Sequence, residues 1–304
     1  MKILNLVYPD KSDIKYNKIQ FPDGQQQVII GMGGKVTYTS SSPIQIKSRL
    51  NNFEDLELII CSTKSLRNLG VKEIHLYVPY FLGSRSDRQF EQGSNNYLKD
   101  IICPIINSLN FESITVLDPH SDVLEACIKG FRKESNLELV KFGLNNIYNL
   151  RCGETGYLKQ NSFILVSPDA GASKKIYKLA EQIGYTGDII TCSKDGDTEG
   201  KLTKTVVPDF LGNHDFDKDM IIIDDICDGA RTFINIAKAI REKQKDCELY
   251  LIVTHGIFSA GFGELSQYFD GIYCTNSYSD IEPPINFTER HHYIKEKVKQ
   301  LNVY

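Results

Sequence analysis

The stretch Met220–Phe233, MIIIDDICDGARTF, decides the fold. Four apolar residues run without a polar break, as a strand buried on both faces of a parallel sheet does. Asp224 and Asp225 follow at once, and Asp228 comes three residues later. Gly229, Ala230, Arg231 and Thr232 then open ARTFINIAKAIREKQ, a segment with helical spacing. The first N–H groups of such a helix lack intrahelical partners and carry the positive end of its dipole. Gly229 and Ala230 let a phosphate approach that backbone, and the Thr232 hydroxyl adds a donor. Carboxylates repel phosphate, so Asp224 and Asp225 suit sugar hydroxyls, or a metal held by the sugar. The residues alone admit two readings: a site for a phosphorylated sugar, or a strand–helix junction with N-capping aspartates.

Working outward, strand-like apolar runs recur at VIIGM (28–32), EIHLYVPYF (73–81), SITVLDP (113–119), FILVSPDAG (163–171), DIITCS (188–193) and LYLIVTHG (249–256). The N-terminal MKILNLVYPDKSD reads as a first strand, not a signal peptide. Helical spacing fills most gaps, as in EDLELIICSTKSLRNLG and ASKKIYKLAEQIG, each stopped by glycine. Strands alternating with helices make an α/β fold with mainly parallel sheets flanked by helices. Five runs end in turns (PYFLGSR, LDPHSD, SPDAGAS, DDICDG and THGIFSAG), and open parallel sheets bind ligands beyond such strand ends. Lys194–Asp219, rich in Gly, Asp and Lys, reads as an excursion holding a short hairpin around TEGK and LTKTVVP.

A length of 304 residues suggests two domains. The net charge of −4 gives no reason to expect nucleic acid or an anionic membrane as partner. No apolar run nears the ~20 residues that span a bilayer. The eight cysteines form no C-x-x-C pair, so neither a zinc site nor a disulfide framework is indicated, and a reducing cytoplasm fits.

The loop MIIIDDICDGART resembles the ribose-phosphate loop of type I phosphoribosyltransferases and ribose-phosphate pyrophosphokinases. Further segments are similar to the pyrophosphokinases in particular. FPDGQ (21–25) resembles their F-S-D-G-E, and VPYFLGSRSDRQF (78–90) their I-P-Y-F-x-Y-A-R-Q-D-R. VLDPHSD (116–122) resembles V-D-L-H-A, VSPDAGASKK (166–175) V-S-P-D-x-G-G, and THGIFSAG (254–261) T-H-P-I-F-S-G. They keep the family's order from residue 21 to 261.

The resemblance implies two similar phosphoribosyltransferase-like domains, 1–146 on the ATP side and 147–304 on the ribose-phosphate side, with a last helix, ERHHYIKEKVKQL, packing on the first. It implies transfer of the β,γ-diphosphate of ATP to the anomeric hydroxyl of a 5-phosphorylated ribose, with Mg2+. Arg85 matches an ATP-binding arginine, with Ser86, Asp87 and Arg88 beside it. Phe21, Asp23 and Gln25 match a loop that reaches a neighbouring subunit's adenine, which implies a homo-oligomer. His120 matches a ligand of the magnesium of Mg-ATP, and Asp169 one that holds a second magnesium or the ribose. Asp224, Asp225, Asp228, Gly229, Ala230, Arg231 and Thr232 match the ribose-phosphate cradle. Lys194 matches a catalytic lysine, with Lys201 or Lys204 as stand-ins for an arginine the chain lacks.

Gly229 stands where the family usually has Thr, Arg231 where it often has Gly, and Gln25 where it has Glu. The first two raise an acceptor larger than ribose 5-phosphate, such as ADP-ribose. Other readings are a phosphoribosyltransferase that consumes the activated sugar and a non-catalytic, nucleotide-binding relative. Without the resemblance, the lysines read as a solvated face and His120 as a hydrogen-bonded core residue.

Overall fold

The computed structural model describes residues 1–31, 42–152, 163–196, 202–208, 218–281 and 297–304, with the side chains of 150–152, 194–196 and 202–204 left aside. The chain forms two compact units, Met1–Ser135 with Val303–Tyr304, and Asn136–Asn302. The sequence boundary near 147 falls inside a helix, Leu137–Cys152, whose Leu139, Val140 and Ile147 join a core of the second unit.

In the first unit β1 (Lys2–Asn5) is followed by β2 (Tyr16–Gln20), β3 (Gln26–Ile30), β4 (Ile44–Lys47), α1 (Phe53–Asn68), β5 (Ile74–Tyr77), α2 (Cys103–Ser108), β6 (Ser113–Leu117), α3 (Val123–Cys127) and β7 (Phe131–Glu134). The sheet order is β1-β4-β5-β6-β7, and every pair is parallel. Leu4, Ile46, Leu76 and Ile114 from successive strands pack with Leu56, Ile59 and Leu66 of α1. The run VIIGM was expected in a parallel sheet. Instead β3 pairs antiparallel with β2, and FPDGQ is the turn between them. Gly24, at φ +92°, donates its N–H to Phe21 and so closes that turn. At the C-terminus, the Tyr304 ring meets Tyr8 and Tyr77 edge-on beneath the Arg49 guanidinium.

The second unit runs α4 (Leu137–Cys152), β8 (Phe163–Ser167), α5 (Ala170–Ile183), β9 (Ile189–Thr191), β10 (Ser193–Gly196), β11 (Leu202–Val206), β12 (Asp219–Cys227), α6 (Arg231–Lys243), β13 (Leu249–Gly256), α7 (Leu265–Tyr268), β14 (Gly271–Thr275) and β15 (Val298–Leu301). The sheet order β15-β14-β13-β12-β8-β9 is parallel throughout. β12 is buried on both faces: Met220 and Ile222 join one core, Ile221 and Ile223 the other. That two-sided burial is why its apolar residues do not alternate with polar ones. The excursion after DIITCS forms an antiparallel hairpin of β10 and β11, while TEGK lies outside the described residues.

Two corrections concern the C-terminal part. The segment read as the end of a last helix is β15, a parallel edge strand pairing Ile272 with Val298 and Thr275 with Leu301. Val298, Lys299, Gln300 and Leu301 are all partly buried, as suits an edge strand that pairs on one side. It belongs to the second unit, and only Val303–Tyr304 join the first. Among the described residues no helix is long and apolar enough to cross a membrane.

Gly130, at φ +68°, has the carbonyl oxygen of Glu112 only 2.7 Å from where a Cβ would sit. Gly130→Ala therefore combines a left-handed backbone with a clash against main chain and destabilises by about 2 kcal/mol. Urea denaturation with an unchanged slope and a lowered midpoint is the expected outcome.

Candidate active site

In the second unit β12 carries both aspartates inside the strand rather than after it. Asp225 is buried, its side chain 7% exposed, and it accepts a 2.7 Å hydrogen bond from Lys175 Nζ of α5. Asp224 is half-buried, and its Oδ1 accepts the Asp225 N–H at 2.9 Å. Burial pushes the Asp224 carboxyl well above the usual range, and the Asp225 and Asp169 carboxylates push it further. The Asp225 N–H and Lys175 oppose that rise without cancelling it.

The turn that follows is held from outside. Ser259 Oγ donates to Asp228 Oδ1 at 2.6 Å, and the Cys227 carbonyl accepts the N–H groups of Ile257 and Phe258. These come from THGIFSAG, which folds against the turn because Phe258 packs where a side chain on Gly256 would be, 2.1 Å from a Cβ there. His255 of the same segment is buried and bonds Ser277 at 2.8 Å. Gly229 is exposed, and a Cβ on it would meet only Ser259 Oγ, at 3.9 Å. Ala230 precedes α6 in the left-handed conformation, φ +60°, without a side-chain cap. Arg231 is exposed in the first turn of α6 and Thr232 half-buried.

The N-cap position of α6 falls on Ala230 and not on any of the three aspartates. Asp169 does cap its helix, its Oδ1 accepting the Ala172 N–H of α5 at 3.2 Å. Capping leaves lone pairs on an aspartate, so it is compatible with a second role.

In the first unit, Leu117 N donates to Pro79 O, stitching the exits of the neighbours β5 and β6 together. The β5 exit turns at Gly83, φ +80°, where a Cβ would lie 2.8 Å from the Tyr97 ring. Ser84 is buried just beyond it, and Arg85 is exposed. The Ser86 and Asp87 carbonyls are bonded by Leu98 N and Asn96 Nδ2, and the Arg88 guanidinium lies 5.4 Å from the Phe90 ring. At the β6 exit Asp118 is buried at φ +41°, its N–H bonded to Glu134, and His120 is exposed. The sequence alternative of a core histidine does not hold.

Phe21 is 41% exposed at the tip of the β2–β3 hairpin. Asp23 accepts the Gln25 N–H, and the Gln25 carbonyl accepts that of Phe21. Lys194 pairs through its backbone with Thr205, and Lys204 with Asp195. Their side chains, and all of Lys201, lie outside the described residues.

Lys175 and Ser259 escaped the sequence reading, although a signal for the first existed. Lys175 sits beside the apolar stripe Ala172, Ile176 and Leu179, where a cation needs a buried anion. Among the described residues no three His, Cys, Asp or Glu side chains converge on one cation. Magnesium keeps several waters and shares phosphate oxygens, so single ligands such as the exposed His120 and the half-buried Asp169 fit it only as supplements to substrate.

The two neighbours of the aspartate pair should respond with opposite signs. Lys175→Met removes the cation paired with the buried Asp225 and costs about 3 kcal/mol. Asp224→Asn removes a crowded charge and raises Tm by a few degrees at pH 8. Because the folded-state pKa of Asp224 is raised, its unfavourable contribution appears only as pH climbs above the ordinary carboxylate range. The Tm gain of Asp224→Asn should therefore shrink towards zero near pH 4, as paired thermal melts can show.

No protein-family model matches the chain. It is 25% identical over 264 residues to the ribose-phosphate pyrophosphokinase of Thermococcus kodakarensis, covering 85% of this chain and 84% of that one. It is 26% identical over 260 residues to the enzyme of that name from Ureaplasma parvum, covering 85% and 72%. The phosphoribosylpyrophosphate synthetase of Mycobacterium smegmatis superposes with a TM-score of 0.73 at 16% identity, over 97% of this chain and 88% of that one. Similarity runs through both units, so in overall sequence and in fold the chain is similar to the ribose-phosphate pyrophosphokinases.

Proposed function

We propose that this chain transfers the β,γ-diphosphate of ATP to the anomeric hydroxyl of a 5-phosphorylated ribose and releases AMP. One observation carries the reading. The β12 exit holds Asp224 and Asp225 as a pair that caps no helix, directly before a left-handed turn that opens α6. Acceptors of hydrogen bonds stand where a sugar presents hydroxyls, and N–H donors where it ends in phosphate. Relatives that carry the pyrophosphokinase name across both units support the ATP half.

The anomeric oxygen attacks the β-phosphorus in line and AMP departs, so catalysis is positioning and cancellation of charge. Asp224, Asp225 and Asp169 take the ribose, and the Gly229–Thr232 backbone takes its phosphate. Lys175 holds Asp225 in place and Ser259 holds Asp228. Arg85 and Lys194 are the residues whose positive charge would offset that of the transferring group. Phe21, Asp23 and Gln25 meet the adenine, from a second copy of the chain. Bound Mg2+ neutralises the phosphates, with His120 and Asp169 as the protein groups that would touch it.

The acceptor we favour is larger than ribose 5-phosphate. Gly229 leaves open space where a threonine would stand, and Arg231 adds an exposed cation beside it. A second phosphate on the 5-position, as in ADP-ribose, fits that combination.

Mass spectrometry of reactions with ATP, Mg2+ and a panel of 5-phosphorylated riboses tests both levels. AMP should form in step with a diphosphorylated sugar. No AMP with any acceptor overturns the diphosphokinase and leaves the transferase reading. ADP-ribose should turn over faster than ribose 5-phosphate, and Arg231→Gly should lower its kcat/KM about tenfold, as for one lost charge-assisted contact. Activity confined to ribose 5-phosphate ends the larger-acceptor reading.

A further inference from the structure

The first unit contains two hydroxyls that the proposed reaction has not used. Ser84 immediately precedes Arg85, and Ser121 immediately follows His120. Both Oγ atoms are inaccessible to solvent and neither has a hydrogen-bond partner. Ser84 is 6% exposed as a whole residue. A buried hydroxyl without a partner forfeits the hydrogen bonds it makes in water, so such groups call for an explanation.

Their placement narrows it. Of the serines in this condition among the described residues, Ser62 lies in the middle of α1 rather than in a loop after a strand. Ser84 and Ser121 lie at the carboxyl ends of the adjacent strands β5 and β6, joined through Leu117 N and Pro79 O. Those ends are where a parallel sheet receives its ligand. The backbone around Ser84 is fixed by Ser84 N to Phe81 O, by Ser86 N to Gly83 O and by the tight approach of Gly83 to Tyr97. What remains adjustable is χ1, which moves a serine oxygen between staggered wells without disturbing the main chain. The family motifs that these loops resemble, Y-A-R-Q-D-R and V-D-L-H-A, carry alanine at both positions. The hydroxyls are therefore this chain's own.

We propose that Ser84 and Ser121 are additional ligands for the phosphate chain of ATP, turning their hydroxyls onto its oxygens beside Arg85 and His120. The proposal rests on the nucleotide half of the reading above. In the free protein both hydroxyls are covered and unpaired, and the bound anion supplies the missing acceptor. ATP binding is thereby strengthened relative to a site with two alanines, at the expense of stability in the free protein.

The test is a set of alanine variants, S84A, S121A and the double variant, with S62A as control. Thermal melts of the free protein and calorimetric titration with Mg-ATP are measured for each. S84A and S121A should each raise Tm by about 1–3 °C. Each should weaken Mg-ATP binding about three- to tenfold, and the double variant more. S62A should raise Tm and leave the dissociation constant unchanged. A lower Tm with unchanged ATP affinity means a structural water satisfies the hydroxyls, and overturns the proposal. A raised Tm with unchanged affinity overturns it as well, since the hydroxyls are then packing defects. Titration does not require turnover. A wild-type protein that binds Mg-ATP but releases no AMP therefore refutes the proposed reaction while the serines are still judged on affinity. Failure of the wild type to bind Mg-ATP overturns both.

Discussion

Two carboxylates stand side by side in a strand whose residues are buried on both faces, and Lys175 pairs with one of them. Lys175 neutralises Asp225 and leaves Asp224 with a backbone N–H and two anionic neighbours. A core shaped for stability alone would place an apolar residue or a second cation there. The strand instead ends in charge that helix α6 does not use, since its capping residue is Ala230. The rest of the second unit serves this arrangement. α5 brings the lysine, the loop after β13 brings Ser259 to Asp228, and α6 starts from the left-handed Ala230.

The first unit follows the same design with opposite chemistry. Its strand ends carry Arg85 and His120, both exposed, on loops made rigid by Gly83 and by the left-handed Asp118. The first unit thus exposes a cation and a histidine at its strand exits, where the second carries three aspartates.

Much of this was legible in the residues, for identifiable reasons. The unbroken run Met220–Ile223 announced a strand covered on both sides, and glycine stops marked α1 and α5. What escaped notice was short, peripheral or held together across the chain. β4 has four residues, and β7, Phe131–Glu134, is an edge strand whose charged side chains hide its character. β15 has four residues without alternation and is too short to be told from a helix end, and β3 has strand pattern but a different partner. At the site, the three loop aspartates were visible, whereas their holders were not. Lys175 lies fifty residues from Asp225, and Ser259 thirty-one from Asp228, and only the fold supplies those contacts.

The account turns on Asp224 being a ligand-facing carboxylate held in an uncomfortable state until sugar hydroxyls reach it. Its pKa can be followed directly by carbon-13 NMR of aspartate-labelled protein, assigned with Asp224→Asn, with and without ribose 5-phosphate. Hydroxyl donors stabilise the ionised form, so the raised pKa should fall markedly when the sugar binds. A titration that the bound sugar leaves unmoved would show that the pair at the end of β12 does not hold the acceptor.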